Sequence, residues 1–316
     1  MATVLKNKYP DTRVTMLVRE YARDLIAGHP DIDEIITVKR ESDVAALVPA
    51  LREKQFTSVF CPSPTFMVAR AVRSADIPIR IGTAYRWYSR LLFTEKIYDH
   101  RKPAQYHEVQ ANVRMIDNSL RCTPETLPLR MVIDDESKSE AREWLAEQGI
   151  VDGTPFAVVH PGSGGSAKDL PVEQFARIAA RLRDECGFRV VVTGVASEMN
   201  LLCVMKDMTG IGTCAVGFPL RMLAALLADA RCLVTNSTGV LHIGAAVGTY
   251  VAGMYPPILA CSPKRWGPWT ENADVFVPPV EENCNGCEDT ACPYFYCMRL
   301  IAVEDIMKKI KERVAP

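Results

Sequence analysis

The sequence has no excess of charge of either sign. Its 316 residues include 37 Lys and Arg against 38 Asp and Glu, which gives a formal net charge of −1 and a pI near 6.5. With so small a net charge, the protein has no global field that would draw it onto nucleic acid. The composition therefore indicates that any anionic partner is bound at a local site.

Neither a membrane span nor a secretory signal is predicted. The uncharged run at 236–262 raises the question of a span, since about 20 apolar residues cross a bilayer. Gly244, Gly248, Gly253 and the Pro256-Pro257 pair interrupt this run, and a helix followed by a buried strand is the better interpretation. The opening residues lack the charged-then-apolar pattern of a signal peptide, so we expect a cytoplasmic protein.

Two nucleotide-binding motifs are missing. No Gly-x-Gly-x-x-Gly follows a predicted strand, which argues against a Rossmann dehydrogenase. The stretch HPGSGGSAKDLP at 160–171 is not a P-loop, because the spacing from Gly162 to Lys168 is wrong and Asp169 stands where Ser or Thr should follow. Its glycines still allow backbone amides to approach an anion beside the Lys168 charge. A flexible surface connection is the alternative interpretation.

The eleven cysteines do not suggest a disulfide framework. Seven are scattered singly, several within apolar runs, which is typical of buried thiols. The other four, Cys284, Cys287, Cys292 and Cys297, have the spacing C-x2-C-x4-C-x4-C, which can hold zinc or an iron–sulfur cluster. We favour thiols without a cofactor, and therefore less than one equivalent of metal in the purified protein; a metal site formed by these four cysteines is the alternative.

Short β-branched runs alternate with helical patterns through most of the chain, which predicts parallel βαβ units. The predicted strands lie at 14–18, 35–38, 58–61, 156–160, 189–193, 231–235 and 251–255. The predicted helices lie at 19–27, 42–54, 65–73, 135–148, 172–186 and 223–228. A last helix has one apolar face that can dock on the body of the protein, formed by Val303, Ile306, Met307, Ile310 and Val314.

The alternation pauses at 121–128, where the sequence RCTPETLP has two prolines and no periodicity. A chain of this length also exceeds the usual size of a single core. We therefore predict an α/β protein with two doubly wound, Rossmann-like domains, residues 1–128 and residues 129–316.

Three polar loops of the second half follow predicted strands, where open α/β sheets bind ligands. They are 160–171, 193–200 and the Asn-Ser-Thr-Gly stretch at 236–239. The carboxylate of Glu198, in the second loop, can interact favourably with a helix dipole or accept a hydrogen bond from a ribose hydroxyl. The third loop is expected to cap a helix whose N-terminus is an anion site, with His242 in its first turn. A lone histidine on an apolar helix is commonly a core residue, but its position after such a loop favours function.

The order of these motifs resembles the ADP-heptose:lipopolysaccharide heptosyltransferases of glycosyltransferase family 9. The motifs are HPGSG with its lysine, Gly194 with Glu198, NSTGVLHIGAAVG and CNGCEDTACPYFYCMRLI. KNKYPDTRVTMLV and HPDIDEIITV also look like the early strand-helix-strand unit of that family, so the resemblance covers most of the chain. It implies a GT-B fold of two Rossmann-like domains facing a cleft, with the donor on the C-terminal domain and the acceptor on the N-terminal one.

The implied activity is the metal-independent transfer of a heptose or related sugar from a nucleotide-diphosphate donor to a lipopolysaccharide core or related glycan. The resemblance implies a donor site formed by Gly162, Ser163, Lys168, Glu198, Met222, Ser237, Thr238, Gly239 and His242. Within it, Lys168 would hold the diphosphate, Glu198 the nucleoside, and Met222 would lie near the adenine. Many members of the family have Asp at the position of Ser237, so the sugar preference of this chain stays open.

On the acceptor side, Arg80, Arg86 and Arg90 lie in a basic, aromatic strip, IRIGTAYRWYSR, suited to an anionic inner-core glycolipid. A solvated charged face is the alternative. The implied partners are the nucleotide sugar and this glycolipid, without nucleic acid. The resemblance implies a monomer in the cytoplasm, with at most peripheral contact on the inner face of the inner membrane.

One element of the family is not found. Relatives have a strand and a Gly-Asp loop ahead of the segment that here reads MATVLKNKYPDTRVTML, and the acceptor-activating aspartate lies in that loop. We expect the N-terminal domain to lack its first strand, which leaves the strands at 14–18 and 58–61 without a partner. No general base is identified. A catalytically impaired sugar-nucleotide-binding paralogue, a truncated product or a metal-binding protein built on the four clustered cysteines are the alternative functions.

Overall fold

The computed structural model describes residues 1–165, 168–280, 292, 294 and 296–314. Contacts within the chain divide it into unit 1, Met1–Cys122, and unit 2, Thr123–Pro316. The division falls inside the predicted linker at 121–128.

Unit 1 alternates short strands and helices. They are α1 Ala2–Lys8, β1 Thr15–Arg19, β2 Glu34–Val38, α2 Val48–Glu53, β3 Ser58–Cys61, α3 Phe66–Ser74, β4 Ile79–Thr83, α4 Ser89–Leu92, β5 Glu95–Ile97 and α5 Glu108–Val113. Two predicted α-helices contain 3-10 helices instead, at Glu20–Leu25 and Glu41–Leu47. Apolar residues three apart are compatible with both an α-helix and a 3-10 helix, so the sequence pattern did not distinguish the two.

The strands of unit 1 form two parallel sheets, one of β1 and β2 and one in the order β3-β4-β5. Within residues 1–122, no ladder joins β1 to β3. Helix α3 packs on both sheets. Its Ala71 clusters with Val38 at the end of β2, and its Val72 clusters with Cys61 at the end of β3.

Unit 2 contains a six-stranded parallel sheet covered by helices. Its strands are β6 Phe156–His160, β7 Arg189–Gly194, β8 Cys214–Val216, β9 Cys232–Asn236, β10 Tyr250–Met254 and β11 Ala273–Phe276. Its helices are α6 Asp135–Glu147, α7 Val172–Cys186, α8 Met199–Thr209, α9 Leu220–Asp229, α10 Gly239–Val247, α11 Pro263–Trp266 and α12 Val303–Val314. The predicted bounds of β6 and α7 agree with the structure. The short strands β8 and β11 were not predicted, because edge strands of three or four residues carry little periodicity.

The sheet order in unit 2 is β11-β10-β9-β6-β7-β8. Every residue of β6 and β9 is buried, which explains the continuous apolar character of these central strands. Helix α12 packs on the rest of unit 2 through its apolar face, since Ile306, Met307 and Ile310 are fully buried in the main core cluster. Among the described residues, no helix combines the length and apolar character needed to cross a bilayer.

Candidate functional site

The candidate site lies where the strand order of unit 2 reverses. The chain runs outward from β6 through β7 to β8, and then returns to the other side of β6 to form β9. At such a reversal, the loops after the two adjacent strands diverge and leave a crevice beyond their carboxyl ends. The loops after β6 and β9 are therefore expected to flank one ligand site, and both were singled out from the sequence.

A single buried amide joins these two loops. Asn236, the last residue of β9, has no solvent exposure. Its Oδ1 accepts a hydrogen bond from the Leu170 amide at 2.9 Å, and its Nδ2 donates to the Pro161 carbonyl at 2.8 Å. Both ends of the 161–170 loop are thereby attached to the end of β9, immediately before 237–239. Asn236 was not among the predicted site residues, although its polar side chain at the end of a buried strand was a usable signal.

Glu198 attaches the same loop to the loop after β7. One carboxylate oxygen accepts from the Gly164 amide at 3.3 Å, and the other accepts from the Val195 amide at 3.0 Å. A Cβ added at Gly162 would collide with this carboxylate, so a side chain there would displace Glu198 from its present position. The carboxylate therefore connects two loops, which neither interpretation of Glu198 from the sequence had included.

His160 and Thr193 form a buried polar pair beneath these loops, at the ends of β6 and β7. The His160 Nδ1 lies 2.9 Å from the Thr193 hydroxyl oxygen. Burial lowers the pKa of His160 below its ordinary value of 6.5, and the nearby Glu198 carboxylate only partly opposes this. The imidazole is therefore neutral at physiological pH and adds no charge below the site.

Helix α10 begins directly after the third loop. Thr238 occupies its N-cap position with extended backbone angles of −147° and 171°, but its side chain does not cap the helix. The expected side-chain cap is therefore absent at Thr238. The first turn of α10 still directs its amides and the positive end of its dipole towards the 237–239 stretch, which is a favourable place for an anion.

His242 is not the buried core residue that was considered as an alternative. Its neighbours Leu241 and Ile243 are buried, whereas His242 is partly exposed. The imidazole lies near the indole of Trp266 in α11, with ring centroids 6.5 Å apart. The Arg265 guanidinium lies over the same indole, 4.9 Å from its centroid. Arg265 and Trp266 were not among the site residues predicted from the sequence.

The remaining predicted donor residues lie at the same edge of the sheet. Lys168 is exposed on the loop after β6, and Ser163 is buried in it. Met222 is partly exposed in the first turn of α9, which starts beyond the carboxyl end of β8. The structure therefore brings the loops after β6, β7 and β9 together through Asn236 and Glu198, and places the start of α9 at the edge where they lie.

The predicted acceptor residues belong to unit 1 and differ in their surroundings. The Arg80 guanidinium donates hydrogen bonds to the backbone carbonyls of Leu92, at 2.8 Å, and Ile77. Its donors therefore stabilise the turn around β4. Arg86 and Arg90 are exposed.

The cysteine cluster lies mostly outside the described residues, which include Cys292 and Cys297 but not Cys284 and Cys287. Cys292 and Cys297 are partly buried. Within the described part of the chain, no group of three or more His, Cys, Asp or Glu side chains is arranged to hold a metal ion. The expectation of metal-free thiols stays a prediction.

Asn236→Ala should leave the Leu170 amide and the Pro161 carbonyl without partners in a buried environment. Each unsatisfied group costs about 1 to 3 kcal/mol, so the free energy of unfolding should fall by that amount or more in urea denaturation. Asn200→Ala, at an exposed position of α8, is the matched control and should change stability by less than about 0.5 kcal/mol. Equal stability of both variants would contradict the assigned role of Asn236.

Stability should depend on pH through His160. Since its pKa is lower in the folded than in the unfolded chain, only the unfolded chain gains this proton just below pH 6.5. The free energy of unfolding should then decrease by up to about 1.4 kcal/mol per pH unit as the pH falls towards the folded-state pKa. His160→Gln should remove this component, whereas His100→Gln, at an exposed position, should keep it. Superimposable profiles of wild type and His160→Gln would refute the assignment.

Comparisons with known proteins agree with the motifs. The model of glycosyltransferase family 9 (heptosyltransferase) matches residues 44–295. A putative glycosyltransferase of Haemophilus influenzae is 25% identical over 290 residues, covering 88% of this chain and 84% of that protein. Lipopolysaccharide heptosyltransferase 3 of Escherichia coli K12 is 24% identical over 291 residues, covering 87% of this chain and 81% of that protein.

The family 9 glycosyltransferase structure from Veillonella parvula matches 99% of this chain and 91% of its own, with a TM-score of 0.86 at 21% identity. This likeness confirms the predicted fold, the GT-B type built from two Rossmann-like α/β units. The match of the family model over most of the chain confirms the enzyme class. The chain belongs to glycosyltransferase family 9, the heptosyltransferase family.

Proposed function

We propose that this glycosyltransferase moves a heptose from a nucleotide-diphosphate donor to a lipopolysaccharide core. The observation that carries the proposal is the Asn236 bridge, which holds a glycine-rich loop with Lys168 against the residues preceding α10. Amides of a glycine-rich loop, a helix N-terminus and a lysine make a suitable site for a diphosphate. The names of the relatives, among them lipopolysaccharide heptosyltransferases 3 and 2 of Escherichia coli, support the sugar and the acceptor.

An adenine nucleotide is the proposed carrier of the sugar. The Escherichia coli heptosyltransferase WaaC has been solved with ADP, and this chain matches that structure with a TM-score of 0.70 at 18% identity. In our proposal Met222 lies near the adenine and Glu198 near the ribose. Because both Glu198 oxygens already accept backbone hydrogen bonds, its carboxylate is held in position before the nucleoside arrives.

The diphosphate would lie between the two joined loops. Lys168 and the backbone of Gly162 and Ser163 approach it from one side, and Ser237, Thr238, Gly239 and His242 approach it from the other. As the bond to the sugar breaks, negative charge develops on the departing nucleoside diphosphate. In this proposal a lysine, backbone amides and a helix dipole surround this position and stabilise that charge without reorganisation.

The acceptor is proposed to bind on unit 1, where Arg86 and Arg90 carry exposed positive charge suited to an anionic glycolipid. The carbonyl contacts of Arg80 make it a structural residue in this proposal. We propose that the enzyme meets an acceptor of this type on the cytoplasmic side of the inner membrane.

Titration with ADP and ADP-heptose tests the donor site. Lys168→Ala should weaken binding of both by about 1.5 to 3 kcal/mol, the contribution of a hydrogen bond to a charged group. Lys206→Ala, an exposed lysine on α8, is the matched control and should bind as wild type does. Unchanged affinity in the Lys168 variant would refute the diphosphate assignment.

His242→Ala separates a functional from a structural histidine. Because the imidazole is partly exposed next to the start of α10, we expect the variant to bind the donor more weakly or to turn over more slowly. Turnover is measured as the rate of ADP formation in a transfer assay with a lipopolysaccharide core acceptor. The free energy of unfolding should change by less than about 0.5 kcal/mol, as at other non-core positions. The histidine would serve packing alone if the variant were less stable than wild type while its folded fraction kept full transfer activity.

A further inference from the structure

The segment after β10 carries an arginine and a tryptophan, Arg265 and Trp266, on the short helix α11. In the sheet, β10 lies next to β9 on the side away from β6, whereas β7 and β8 lie on the other side of β6. The groups proposed for the nucleoside, Glu198 and Met222, follow β7 and β8 in the chain. A donor whose diphosphate lies between the loops after β6 and β9 therefore extends its sugar towards the segment after β10.

A buried tyrosine connects this segment to the loop after β9. Tyr255 directly follows β10 and has no solvent exposure. Its hydroxyl donates a hydrogen bond to the Trp266 carbonyl at 2.7 Å, and it also hydrogen-bonds to the Ser237 side chain. Because a carbonyl can only accept, the phenol proton is used there, and Ser237 is the donor in the second bond. One hydroxyl group thus joins α11 to the residues that precede α10.

The indole of Trp266 is held at its nitrogen and remains partly accessible. Its Nε1 donates to the Ala260 carbonyl at 3.1 Å, yet the residue is 37% exposed. The Arg265 guanidinium donates to the same carbonyl at 3.3 Å and lies over the indole. The imidazole of His242, in the first turn of α10, is the neighbouring ring. An aromatic surface and a cation are therefore fixed by backbone contacts next to a proposed donor residue.

These two groups have the chemistry of a sugar-binding surface. The C–H face of a sugar ring packs on a flat aromatic ring, and sugar hydroxyls accept hydrogen bonds from a guanidinium. A nucleobase also stacks on an indole, but adenine would then lie at the opposite end of the site from Glu198 and Met222. A phosphate would use Arg265 but would leave the indole without a partner. The position and the chemistry of the pair together favour the sugar.

We propose that Trp266 and Arg265 bind the transferred sugar of the donor, and that Tyr255 is a positioning residue that holds them beside Ser237. The inference rests on the proposed function of the donor site and names the residues that recognise its sugar. Because the Ser237 hydroxyl donates its proton to Tyr255, the sugar preference is set largely by the segment after β10.

Calorimetric titration of the full chain with ADP and with ADP-heptose tests the proposal, because both ligands contain the nucleoside and the diphosphate but only one contains the sugar. Trp266→Ala and Arg265→Gln should each weaken ADP-heptose binding by about tenfold or more, a common effect of losing an aromatic contact or a charged hydrogen bond. Both variants should bind ADP as wild type does. Arg183→Gln, at an exposed position in the last turn of α7, is the matched control and should leave both affinities unchanged.

Conservative variants separate contact from folding. Trp266→Phe keeps an aromatic face and should recover most of the ADP-heptose affinity. The tryptophan fluorescence of wild type should respond differently to ADP-heptose and to ADP, and Trp266→Phe should lose this difference. Tyr255→Phe removes only the hydroxyl group and should weaken ADP-heptose binding more than ADP binding. A purely structural role of Tyr255 would lower stability but leave the ratio of the two affinities unchanged.

Two results would overturn the proposal while the donor site stands. One is an equal loss of ADP and ADP-heptose affinity in Trp266→Ala and Arg265→Gln, since these residues would then contact the part that both ligands share. The other is unchanged ADP-heptose affinity in both variants. A failure of the donor site itself gives a different result, because Lys168→Ala would then bind ADP as wild type does, or wild type would bind neither ligand.

Discussion

The candidate site depends above all on the two hydrogen bonds of the Asn236 amide. The 161–170 loop is rich in glycine, and a free loop of this kind would lose much conformational entropy on binding an anion. Asn236 is fully buried, so its amide must find partners inside the protein, and both partners belong to this loop. The cost of burying an amide is thus offset by contacts that hold the loop in place before any ligand binds.

Burial and hydrogen bonding also determine which charges at the site are available to a ligand. Burial keeps His160 neutral, and two backbone amides satisfy the Glu198 carboxylate. The groups suited to meet an anion are the helix N-terminus of α10 and the exposed Lys168. A partly exposed imidazole, His242, stands in the first turn of that helix. Such an arrangement favours a diphosphate without requiring a strong overall charge, in keeping with a formal net charge of −1 for the whole chain.

Unit 1 shows how packing can replace a continuous sheet. Its two small sheets share no ladder among the described residues, yet α3 places apolar side chains against both of them. The same helix begins at Phe66, which stacks on Trp87 at the surface. One helix therefore contributes to the core through one face and to an exposed aromatic contact through its first residue.

The sequence by itself determined the elements with strong local patterns. The buried strand β6, the amphipathic helix α7 and the apolar face of α12 follow from periodicity within a few residues, and the order of the loops indicated the family. Only the tertiary structure decided what the polar side chains do. Asn236 bonds to residues 66 and 75 positions away, Glu198 bonds across 34, and the Arg80 donors are taken up by backbone carbonyls. Apolar burial is set by a local pattern, but a hydrogen bond needs two groups at one point in space, and the fold alone brings distant segments together.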